Sequence, residues 1–89
     1  MKILEDKNQN LYVYIYTNDH MPAHVHVFKG RKNDKNIHDV KINIGSENEP
    51  PSIVKANPNM KGNDIKAVWE LVANNQEILL KKWNEIHDI

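Results

Sequence analysis

The densest group of chemically competent side chains is Asn18-Asp19-His20-Met21-Pro22-Ala23-His24-Val25-His26, which holds three of the five histidines and an aspartate. Imidazole and carboxylate are ligands for zinc, iron, nickel or manganese, according to geometry. Where the segment after Pro22 is extended, His24 and His26 project to one side with Cβ atoms about 6.5–7 Å apart. Both then reach one ion. His20 from the turn completes a metal-ligand set of His20, His24 and His26, with Asp19 as the other third ligand. A divalent transition metal is the cofactor class such a cluster admits. The same side chains support a metal-free scheme, in which histidines with pKa values pushed apart serve as base and acid. Asp19, His24 and His26 are then the catalytic set, and Lys29 or Lys41 holds a phosphate. A third account is non-catalytic binding, with Tyr12, Tyr14 and Tyr16 stacking bases or sugars. The fourth is scaffold alone, since Asp caps turns routinely and an H-x-x-x-H-x-H spacing is common.

The elements that must hold this cluster follow from local chemistry. Leu11–Thr17 is β-branched or aromatic at nearly every position, which suits a strand over 11–17. Asn18-Asp19 favours a turn through side-chain bonds to its own backbone. Pro22 cannot donate to a ladder, so the next strand starts near His24 and runs over 24–29. Alternation returns over 37–44 and ends at Gly45. Ser52-Ile53-Val54-Lys55 adds a short edge strand (52–55) in a four-stranded arrangement. Asn57-Pro58-Asn59 and Gly62-Asn63 mark a loop, and a helix follows over 64–86 with Asn63 as its N-cap. At about 100° per residue, Ile65, Val68, Trp69, Val72, Leu79, Trp83 and Ile86 form one apolar stripe, with Gln76 its only polar member.

Residues of alternate parity in a strand take opposite faces. Leu11, Val13, Ile15, Val25, Val27, Val40, Ile42 and Ile44 therefore share the face that the helix covers. Tyr12, Tyr14, Tyr16, His24, His26, Phe28, Asp39 and Lys41 collect on the other. That second face is too polar for a core and too aromatic for ordinary solvent-facing sheet, which makes it the expected working surface. The expected fold is α+β: an antiparallel three- to four-stranded meander with one long C-terminal helix packed on one face, in a single domain over 1–89.

Composition narrows the classes. With 12 basic and 12 acidic side chains the formal net charge is +0, which argues against a dedicated duplex-DNA binder. Lys29, Arg31, Lys32 and Lys35 nevertheless form a local basic cluster able to touch phosphate. The absence of cysteine excludes a disulfide scaffold and thiolate chemistry. The longest apolar run, Leu11–Tyr16, falls far short of the roughly 20 residues of a membrane span. Met1–Asp6 reaches acid too soon for a signal peptide, so the cytoplasm is the expected compartment.

The string Asn18-Asp19-His20-x-Pro22-x-His24-x-His26-Val27 resembles the signature of a bacterial family called domain of unknown function 4160. That signature is an aromatic strand leading into N-D-H-x-P-P-H-F-H-V, then a strand and a C-terminal tryptophan-bearing helix. The resemblance covers Tyr12–Phe28, Ile37–Ile44 and Asp64–Trp83. The sequence departs from it with Ala23 for the second proline, Val25 for phenylalanine, and a longer, more polar segment over Ser46–Gly62. The resemblance carries over Asn18, Asp19, His20, Pro22, His24 and His26 as site residues. Members are often encoded beside another small domain, similar to toxin–antitoxin pairs, which implies that the chain binds the protein encoded by a neighbouring gene. Two functions are therefore expected. One is a toxin–antitoxin-like module that binds that protein, or RNA, through Asn18, His20, Pro22, Tyr12, Tyr14, Tyr16, Lys29, Arg31 and Lys41. The alternative is a small metal-assisted or paired-histidine hydrolase or nuclease acting on phosphodiesters.

Overall fold

Alternation decides which side of the sheet each residue takes. Leu11 and Val13 are buried while Tyr12 and Tyr14 are half-buried, and Val40 and Ile42 repeat the pattern against Lys41 and Asn43. The computed structural model, which describes residues 1–30 and 38–89, assembles these segments into an antiparallel meander. Its strands are β1 (Lys2–Asp6), β2 (Leu11–Tyr14), β3 (His24–Lys29), β4 (His38–Asn43) and β5 (Ser52–Ala56), paired in that order. Two helices follow, α1 (Gly62–Asn74) and α2 (Gln76–Ile86). Both cover the aliphatic face. Val68, Val72, Leu79 and Trp83 join Leu11, Val13, Ile15, Val25, Val27, Val40, Ile42 and Ile44 in one core. Truncating one of these, for example Ile42→Ala, removes contacts worth about 2–5 kcal/mol.

The α+β class and the meander agree with the expectation, and several details correct it. Among the described residues the sheet has five strands. The first was hidden because the register shifts between Lys2 and Leu4, and both Ile3 and Leu4 pack against the core. Two adjacent apolar residues on one side, as a bulge allows, erase the period-two signal. The single long helix is two helices broken at Asn75, whose backbone leaves helical geometry at φ −121°. Asn75 Nδ2 bonds the Leu71 carbonyl, and the Gln76 amide donates to the carbonyls of Ile44 and Glu49 at 2.8 Å each. The polar member of the apolar stripe thus pins the β4–β5 connection to the helix layer. Gly45 lies under this clamp at φ +81°, where a Cβ would come 2.5 Å from the Glu49 carbonyl oxygen.

The third correction is Trp69. It stands 36% exposed at the edge of the core and donates its indole N–H to Pro51 O at 2.8 Å. Helix α1 also starts earlier than expected, with Lys61 as N-cap in place of Asn63 and no side-chain cap bond. Strand boundaries shift modestly. β2 stops at Tyr14, yet Ile15 is still held by paired bonds with Met1, 3.0 Å and 2.8 Å long. Ile37, expected to open the next strand, lies outside the described residues.

Candidate functional site

The site is built at the start of β3, where the turn after β2 folds back over the sheet end. The Asp19 N–H bonds Tyr16 O at 3.1 Å, and Asp19 Oδ2 accepts the Tyr16 N–H at 3.0 Å. This double tie closes the Tyr16–Asp19 turn from both sides, backbone to carbonyl in one direction and backbone to carboxylate in the other. It fixes one carboxylate oxygen and leaves Oδ1 facing the strand. Pro22 follows a cis Met21–Pro22 bond, and its carbonyl lies 2.9 Å from His24 Nδ1. A carbonyl only accepts, so Nδ1 carries a proton and, in the neutral ring, Nε2 carries the lone pair.

That lone pair faces an acceptor. Asp19 Oδ1 lies 3.4 Å from His24 Nε2 and 3.4 Å from His26 Nε2. The ligand atoms of Asp19, His24 and His26 all lie within 4.8 Å of one another. At 3.4 Å neither contact is a strong hydrogen bond, and both nitrogens share one oxygen. A proton or a cation between them reconciles the arrangement. Burial pushes the Asp19 carboxyl up, but the Tyr16 N–H, together with His24 and His26 when they are protonated, outweighs it and holds the group below its ordinary value. The carboxylate is therefore charged and ready to accept.

The rings are held from behind. His24 is 4% exposed, which corrects the expectation that both imidazoles lie on the open face. It sits 5.2 Å from His26 on one side and 5.2 Å from the Trp83 ring on the other. Trp83 in turn stacks on His87 at 3.8 Å. His26 is half-buried and 5.0 Å from Tyr16. In front, a pocket of about 460 Å³ is lined by Asn18, Asp19, His20, Met21, Pro22, His24, His26, Lys41, Asn43 and Val54.

The expected residues divide clearly. Asn18, Asp19, His20, Pro22, His24, His26 and Lys41 meet at this pocket. The converging donors are Asp19, His24 and His26, and not the set His20, His24 and His26. His20 is exposed on the rim, one residue beyond the doubly tied Asp19. Tyr14 and Tyr16 flank the cluster through stacked rings 6.2 Å apart. Tyr12 stands further along the sheet, bonded through its hydroxyl to Asn10 at 3.0 Å. Lys29 is taken from the expected binding surface by an ion pair with Asp64 of α1. Arg31 lies outside the described residues, as do Lys32 and Lys35.

Three contributors were not anticipated: Asn43 and Val54 on the pocket wall, and Trp83 behind His24. Asn43 was findable, because parity in β4 puts it beside Lys41. Trp83 read only as core, since nothing local in the helix marks an indole that touches a histidine on β3.

A domain of this architecture, a meander covered by two C-terminal helices with a His-His-Asp cluster at the sheet end, defines a class by fold and site. The family model for Domain of unknown function (DUF4160) matches residues 10–84, and the chain belongs to that family. No curated protein and no solved structure matches it. Among the described residues, no helix is long and apolar enough to cross a membrane.

Proposed function

We propose that this domain is a small metal-dependent phosphodiesterase in which Asp19, His24 and His26 hold a divalent transition metal, zinc first. The observation that carries the reading is the shared 3.4 Å separation of Asp19 Oδ1 from both Nε2 atoms. Zinc bonds of 2.0–2.1 Å in a tetrahedron put ligand atoms about 3.3–3.4 Å apart, which both Asp19–histidine separations match; the two histidine nitrogens, within 4.8 Å of each other, draw closer to complete the set. Octahedral magnesium bonds put neighbouring ligands about 2.9 Å apart. The partners of the ligands support it too: the Pro22 carbonyl sets the His24 tautomer and the Tyr16 N–H orients Asp19, the outer contacts that metal sites need.

Three protein ligands and a pocket in front are the pattern of a catalytic centre, which keeps one position open. Zinc held by Asp19, His24 and His26 would supply a Lewis acid that lowers the pKa of a water at that position to about 7. Attack by that water would form the new P–O bond as the ester P–O bond breaks, its electron pair passing to the leaving oxygen. The water's proton ends on that oxygen, carried by the rim residue His20. Lys41 faces the phosphate's remaining negative charge. Calorimetric titration of chelator-stripped protein with zinc tests this, together with hydrolysis of bis(4-nitrophenyl) phosphate. One equivalent of zinc and a zinc-dependent rate, both lost in His26→Gln, are expected. Absence of stoichiometric zinc binding removes the proposal.

A second reading, binding of the protein encoded by a neighbouring gene in a toxin–antitoxin-like pair, is favoured by the β5 edge. Ile53 and Val54 are exposed there, with Met21 exposed on the nearby pocket rim, and such an edge takes an added strand. Co-purification of the two gene products, lost when Val54 is replaced by Lys, tests that reading.

A further inference from the structure

The strand register draws one line of side chains across the whole sheet. Lys2 is opposite Tyr14, Tyr14 opposite His26, His26 opposite Lys41, and Lys41 opposite Lys55. With strands about 4.8 Å apart, the line is about 19 Å long. It runs through the candidate ligand His26 and has a different character on each side. Beyond His26 stand Lys41 and the exposed Lys55, neither with an ion-pair partner among the described residues. Before His26 stand rings: Tyr14 lies parallel to Tyr16 at 6.2 Å and edge-on to Phe28 at 5.3 Å.

The acids of this face lie elsewhere. Glu5 and Asp39 occupy the next line, level with Tyr12 and Phe28, and Asp19 is turned to the histidines. Lys2 is bonded to Glu5 at 3.4 Å, so along this line the cations without an ion pair among the described residues are Lys41 and Lys55. Cations, a hydrolytic centre and flat rings thus follow one another along a single path.

We infer that the substrate is a single-stranded polynucleotide lying along this path, its phosphates at Lys41 and Lys55 and its bases against the Tyr14 and Tyr16 rings. The inference deepens the phosphodiesterase reading and rests on it for the position of the cleaved bond. Every base has a π face, so stacking on tyrosine recognises single strands without regard to sequence. A duplex keeps its bases stacked on one another and offers only phosphates to two lysines, which is too few for tight binding.

Fluorescence anisotropy tests this with a labelled 12-nucleotide oligoribonucleotide, the matching oligodeoxyribonucleotide and the matching duplex, each in chelator and in zinc. Single strands should bind about tenfold or more tighter than duplex, and the ratio of the two single strands reports whether the 2′-hydroxyl is read. Lys55→Ala should weaken binding about three- to tenfold and flatten the slope of log K against log salt by about 0.7. Tyr14→Leu should weaken binding about fivefold or more, and Phe28→Leu serves as the second ring variant where circular dichroism shows Tyr14→Leu unfolded. No single-strand binding at low salt, equal affinity for duplex, or indifference to both kinds of variant overturns the inference. Oligonucleotide binding without zinc binding removes the phosphodiesterase and leaves the surface standing. Zinc binding and cleavage of the small ester without oligonucleotide binding removes the surface alone.

Discussion

The two ends of β3 each set a basic side chain against an aspartate, with opposite results. At the far end Lys29 closes directly on Asp64, tying the strand to the first turn of α1. At the near end His24 and His26 stop 3.4 Å from Asp19. The difference lies in what holds each base. A lysine ammonium rides on a flexible stem and moves until it meets its partner. The His24 ring is fixed by the Pro22 carbonyl and wedged against Trp83, and Asp19 is fixed by Tyr16. Groups that cannot close keep their lone pairs for a third participant. One end of the strand serves the fold, and the other retains ligand capacity.

Removing a ligand sets the two ends furthest apart. His26→Gln or Asp19→Asn should lower zinc affinity about 100-fold or more, beyond the 10–100-fold typical of losing an outer-shell partner. Asp64→Asn should leave the titration unchanged. Equal loss in both aspartate variants would mean that the clustered groups act only through the fold. A second effect is on stability. An ion that binds only the folded chain, present at 100 times its dissociation constant, stabilises by about 2.7 kcal/mol. In a domain of this size that raises the melting temperature by about 10–20 °C. A chelator should reverse the shift, and Asp19→Asn should not show it. A smaller change is expected for Trp83→Phe, which keeps an apolar ring behind His24 but loosens its seat. Zinc affinity should fall about tenfold, and an unaltered affinity would show that the indole serves packing alone. His20→Ala, at the exposed rim, should leave zinc affinity within about threefold while reducing the rate of ester hydrolysis. A collapse of affinity there would return His20 to the ligand set.

Much of this contrast was legible from alternation. Parity in 11–17, 24–29 and 37–44 separated Val and Ile from Tyr, His and Lys, and turn chemistry put Asp19 and His20 just ahead of the strand that carries His24 and His26. What parity could not supply was depth. His24 and His26 share a side of β3, yet only His24 is roofed by Trp83, because the roof comes from α2 and from the turn itself. The choice of Asp19 over His20 as the third donor was equally hidden, since it depends on the paired bonds to Tyr16. Lys29 belonged by sequence to a basic tip. Its partner Asp64 is distant in the chain, and only the closed fold brings the two together. β1 and the break at Asn75 escaped for a related reason: a bulge and a pair of side-chain bonds to distant carbonyls leave no periodic trace.

The smallest expected effect tests whether the closed end is held by charge. The bond to Lys29 is the main influence holding the Asp64 carboxyl below its ordinary value of 3.8, ahead of the opposing effect of burial. A carboxyl whose folded pKa lies below its unfolded one stabilises the fold fully above the unfolded value, and the benefit disappears as pH falls through the folded value. Asp64→Asn should therefore cost about 0.2–1 kcal/mol near pH 7, the range for a solvent-screened pair. The gap from the parent protein should close as pH falls from 7 to well below the ordinary carboxyl value of 3.8 and narrow in about 1 M salt. Urea unfolding of both proteins across that range measures it. A gap that persists undiminished in acid would mean that Asp64 contributes through shape at the start of α1, and the contrast between the ends of β3 would no longer be one of charge.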